Sequence, residues 1–98
     1  MKFAFLILGE FDSAADRAEI HHGEARIIGV SSLEEAAQTA RALQQEGVGC
    51  IELCGAFGPE GARRIAKATG GRIPVGYITH LPEMDAVYRA AFSETQHS

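Results

Sequence analysis

Residues 3–8, FAFLIL, are apolar without a break. Six residues are short for a globular helix and right for a strand. With no polar residue on either side of its pleat, such a strand asks to be covered on both faces, as in a parallel sheet. Parallel strands cannot be joined by tight turns and need long crossovers, usually helices. Three further short runs fit the same scheme: ARIIGV at 25–30, GCIELC at 49–54 and PVGYIT at 74–79. Pro74 has no N–H to give to a ladder, which places the last of these at a sheet edge.

The intervening segments supply helices. Ser32 and Glu35 form a capping-box pattern, after which Leu33, Ala36, Ala37, Ala40 and Leu43 keep helical spacing and Gly47 gives a left-handed stop. Pro59 suits the first turn of a second helix, which buries Ala62, Ile65 and Ala66 and ends at Gly70-Gly71. A third starts near Pro82 and carries Met84, Val87, Tyr88 and Ala91 on one face. The stretch 10–24, EFDSAADRAEIHHGE, reads as a short helix if Ser13 caps it and Gly23 ends it.

The expected fold is then α/β: a single small domain over residues 1–92 with a four-stranded, mainly parallel sheet, flanking helices and a frayed polar tail at 93–98. Right-handed crossovers favour the flavodoxin-like strand order 2-1-3-4; the alternative is 1-2-3-4, like half of a barrel.

A chain of 98 residues hides only roughly 60–65% of its unfolded surface, so a homo-oligomer is expected, a two-fold dimer first. The net charge of −4 and the lack of basic runs speak against nucleic acid and anionic membranes as partners. The opening MKFAFLILGEF lacks a small-residue cleavage site, and no apolar stretch nears the roughly 20 residues of a membrane span. Cys50 and Cys54, four apart on an extended strand, stand about 13 Å apart at 3.3 Å per residue, too far for a disulfide. Free thiols and no leader make the cytoplasm the expected location.

Open parallel sheets keep their ligand sites at the carboxyl ends of the strands. Glu10, Cys54 to Gly58, and His80 fall there. Glu52 and Cys54 are two apart and share a face. A carboxylate in mid-strand of a covered sheet either pairs with an Arg, a His, backbone donors or another subunit, or serves as a general acid or base. Cys54 precedes a helix start, where thiolate is favoured, and His80 on the neighbouring strand would complete a nucleophile–base pair. The plain alternative is a small buried cysteine. The turn with Gly55, Ala56 and Gly58 can offer N–H groups to a small anion, with Glu10 nearby, or can merely let helix and strand pack closely. It is neither a Walker loop nor G-x-G-x-x-G. His21 and His22 point about 100° apart on a helix, poor spacing for one ion, so no metal site is expected. Arg63 and Arg64 read as a solvated helix face. No cofactor is named by any motif.

The run IELCGAFGPEGA, followed by the PVG strand, resembles the signature of a small bacterial family of unknown function whose members are about as long as this chain. The resemblance implies a compact α/β domain and assigns no catalytic residue. It draws attention to Glu52, Cys54, Gly55 and Gly58, which lie within the matching run. Two functional readings follow. One is a protein that binds a small anionic metabolite at the carboxyl edge, with Glu52, Cys54 and His80 as candidate catalytic residues. The other is a non-catalytic module for oligomerisation or partner binding.

Overall fold

The computed structural model describes residues 1–97, with side-chain burial through residue 93. Five strands and three helices follow one another as β1 (Lys2–Leu8), β2 (Arg17–Ile20), β3 (Ala25–Val30), α1 (Leu33–Gln45), β4 (Val48–Leu53), α2 (Gly58–Ala68), β5 (Val75–Tyr77) and α3 (Asp85–His97). Single 3₁₀ turns, Gly55–Phe57 and Pro82–Met84, lead into α2 and α3. The polar stretch expected to fray thus enters α3 as far as His97, and Ser98 lies outside the described residues.

The sheet order is β2-β3-β1-β4-β5. The four strands read from the apolar runs are parallel and stand as second, first, third and fourth, with β5 at an edge. The expectation of four strands is corrected by β2, which pairs antiparallel with β3 and makes the sheet five-stranded and mixed. It occupies the segment expected to be helical. Asp12 is the reason. Its carboxylate accepts the Ala14 N–H at 2.9 Å, and its own N–H is taken by Asp16 at 2.8 Å. That local turn offers the backbone an alternative to a helix. The chain then runs back as Arg-Ala-Glu-Ile, whose period of two puts Ala18 and Ile20 on one face and Arg17 and Glu19 on the other. His21, His22 and Gly23 close the hairpin at φ of 51°, 57° and 84°, the left-handed region.

Both α1 and α2 pack on the same side of the sheet. There Ala4, Leu6, Ile28, Val30, Val48, Ile51 and Leu53 meet Ala36, Ala37, Ala40, Leu43, Phe57, Ala62 and Ile65 in one buried cluster. Ser32 caps α1 by accepting the Glu35 N–H at 3.0 Å. Glu35 reaches back to the N–H of Ser31, at 2.8 Å, rather than to that of Ser32, a capping box displaced by one residue.

Among the described residues no helix lies over the opposite face. Registers place Phe3, Phe5 and Ile7 of β1 beside Ala25, Ile27 and Gly29 of β3, with Ala18 and Ile20 of β2 next in line. Phe3 and Ile27 are each 42% exposed and Ile20 is 70% exposed. Phe11 folds across this face. Its ring covers Gly29 so closely that a β-carbon there would clash with it. The expectation that FAFLIL is covered on both faces is therefore corrected: with a strand in place of the first helix, no helix among the described residues covers that side.

α3 does not supply the missing layer. Its main contacts are with the 3₁₀ turn that precedes it, and Met84, Val87 and Phe92 stay exposed. The radius of gyration, 14.0 Å, exceeds the roughly 13 Å of a compact chain this long, and the longest dimension is 39 Å. Among the described residues no helix is long and apolar enough to cross a membrane.

Candidate functional site

The carboxyl edge of the sheet is built from the ends of β1, β4 and β5. Cys54 leaves β4 in extended conformation and packs against the core. Its Sγ accepts the Leu8 N–H at 3.3 Å, so the thiol ties β4 to β1. Gly55 to Phe57 then form the 3₁₀ turn. Within it the Phe57 N–H goes to the Cys54 carbonyl at 3.1 Å, and the Gly58 N–H goes to the Gly55 carbonyl. Of the three residues expected to offer N–H groups to an anion, Gly58 thus has its own bonded inside the turn. Gly58 has φ of 62°, a left-handed backbone that turns the chain into α2. Gly55 is glycine for another reason. A β-carbon there would meet the Tyr88 hydroxyl at 2.9 Å and the Ile78 carbonyl oxygen at 3.4 Å. Tyr88 of α3 fills the space above the turn.

His80 belongs to the same group. Its Nε2 pairs with the Asp85 carboxylate, and its ring stacks on Tyr88 with centroids 4.1 Å apart and planes 19° apart. Tyr88 in turn packs on Phe92 at 4.4 Å. The hydrogen bond from His80, helped by the Arg89 charge, holds the Asp85 carboxyl below its ordinary value. This cluster fixes the start of α3 to the edge of the sheet.

Glu52 stands elsewhere. Its position on β4 pairs with Phe5 and Gly76, so it points to the open face, where it is exposed. The expectation of a buried mid-strand carboxylate is corrected because that face lacks a helix layer. Its thiol neighbour is Cys50, whose Sγ donates to Glu52 Oε1 at 3.7 Å. Burial, then the Glu52 charge and this hydrogen bond, push the Cys50 thiol above its ordinary value.

The three candidate catalytic side chains therefore have three separate partners: Glu52 has Cys50, Cys54 has Leu8 and His80 has Asp85. Glu10 and Ala56 are exposed at the rim. Among the described residues no three His, Cys, Asp or Glu side chains are grouped to hold a metal ion. Asp85 and Tyr88 escaped the sequence reading. Asp85 follows His80 by five residues, but only the turn Pro82–Met84 brings the two together. Tyr88 was legible as part of an apolar stripe, not as the lid over Gly55.

No curated protein and no solved structure matches the chain. A family model does, over residues 1–93, a span that runs from β1 into α3. The chain belongs to DUF6506, a family of unknown function.

Proposed function

We propose that this chain is a non-catalytic assembly module whose open sheet face binds a second copy of itself. One observation carries the reading: a sheet with a helix layer on one side and exposed Phe3, Phe11, Ile20 and Ile27 on the other. At about 200 Å² for a fully exposed large apolar residue, these four leave roughly 400 Å² of apolar surface, the size of the largest patch on a monomer, which is often functional. Ile78, Leu81, Met84, Val87 and Phe92, in and before α3, are also exposed. A stable interface hides about 800 Å² per partner, and the four side chains of the sheet face supply about half of that.

A second copy is the fitting occupant because two such faces meet as equals about a two-fold axis, sheet on sheet about 10 Å apart. Edge-to-edge pairing offers less. β2 has four residues, and β5 has three and follows Pro74. Charge substitutions on the open face test the reading. Ile20→Glu and Ile27→Glu replace exposed side chains, so each variant should keep its far-ultraviolet circular dichroism. In light scattering each should show half the wild-type mass. A variant that folds and keeps the wild-type mass would remove the face from the interface.

A further inference from the structure

We infer that the cleft between the carboxyl-terminal ends of α1 and α2 binds a small polyanion, a molecule carrying phosphate or several carboxylates. The cleft encloses about 430 Å³ and is lined by Arg41, Gln44, Gln45, Lys67, Thr69 and Arg72, with Ala68 and Gly70 between them. Three cations converge there and no carboxylate does, in a protein whose net charge is −4.

The ordinary reason for cations at this place is to satisfy the last carbonyls of two helices. Here the backbone already does so. Glu46 and Gly47 donate to carbonyls of the last turn of α1, while Thr69, Gly70 and Gly71 donate to those of α2. The Thr69 hydroxyl adds bonds to the Ile65 and Ala66 carbonyls at 3.3 and 3.0 Å. The Gln44 amide donates to the Thr69 carbonyl at 3.1 Å and fixes one helix end to the other. The guanidinium of Arg72 lies along Gly70, where a β-carbon would stand 3.6 Å from its Nε.

Four other arginines of the chain are engaged. Arg17 bonds the Ser13 carbonyl, Arg26 pairs with Glu19 and Glu46, Arg63 with Glu60 and Arg89 with Asp85. Among the described residues Arg41, Lys67 and Arg72 have no such partner; nor has Arg64, which is exposed on α2 and does not line the cleft. Two arginine forks and an ammonium around an open cleft fit oxygens of phosphate or carboxylate groups. The acidic remainder of the protein repels an extended polyanion and leaves a small one as the match. The cleft lies on the helix side, away from the open sheet face, so occupancy does not depend on self-assembly.

Titration calorimetry of the intact chain with inorganic pyrophosphate, citrate and sodium chloride tests the site. Pyrophosphate, citrate or both should bind with a Kd of about 1 mM or tighter, and the arm that binds names the source of the oxygens. The Arg41→Gln, Arg72→Gln double variant should weaken that binding by about tenfold or more. Arg64→Gln, an exposed arginine of α2 outside the cleft, should leave it unchanged. Retained binding in a folded double variant would overturn the inference. So would an equal response to chloride at matched ionic strength, or tighter binding of a short DNA duplex than of either small anion.

Discussion

The hydroxyl of Tyr88 occupies the space that a side chain on residue 55 would need, 2.9 Å from where its β-carbon would stand. The glycine that opens the turn after β4 is thereby explained by a residue 33 positions later in the chain. Gly55→Ala should push Tyr88 out, unstack it from His80 and loosen α3. The expected loss is about 1–3 kcal/mol, the usual cost of overpacking. A Tyr88→Ala background removes the clash, so the double variant should lose less than the two single losses added together. Denaturant unfolding of the four proteins checks this, and full additivity would separate Gly55 from Tyr88.

The Asp85 carboxyl is held low chiefly by the hydrogen bond from His80. A group with a lowered folded-state pKa adds stability that is present above the ordinary carboxylate range, about pH 4. That stability is lost as the pH falls through the lowered folded value. Asp85→Asn should therefore lower the melting temperature at neutral pH. The difference from wild type should close as both proteins are taken to acid. A difference that persists at the acid end would assign the effect to the shape of the amide rather than to charge.

The two cysteines should behave differently toward iodoacetamide. Cys50 has its thiol raised by burial and by Glu52, so its reaction midpoint should lie above the roughly 8.5 of a free cysteine, and Glu52→Gln should bring it down. A raised value means that the folded state favours the protonated thiol. The stability linked to it is complete below the ordinary thiol range and is lost as the pH rises through the folded value. Cys54, held in by the core and bonded to Leu8, should label mainly on unfolding. Rapid labelling of Cys54 in the folded protein at neutral pH would restore it as a nucleophile.

The parallel strands and the helices after residue 31 were legible because their periods are long and their caps are chemically distinct. Ser32, Gly47, Pro59 and Pro74 do locally what their side chains dictate. Residues 10–24 were not, because Asp and Ser signal a helix cap and a turn alike, and Asp12 spends its carboxylate on the turn. A strand of four residues gives two alternations, too few to outweigh that signal. The apolar run FAFLIL demanded cover on two faces, and nothing in a sequence says whether the second cover comes from the same chain. Glu52 held the clue: a carboxylate on β4 is at ease only if its face is open. The surroundings of the candidate residues were hidden for a related reason. Cys54, Gly55 and His80 do gather at one edge, but the partners that occupy them, Leu8, Tyr88 and Asp85, come from other elements of the fold.

Sedimentation equilibrium of the wild-type protein across micromolar concentrations tests self-assembly through the open sheet face most directly. The account predicts a mass approaching about 21 kDa, twice the 10.5 kDa of one chain, with dissociation on dilution. A mass of 10.5 kDa that stays constant from the lowest to the highest concentration would contradict it.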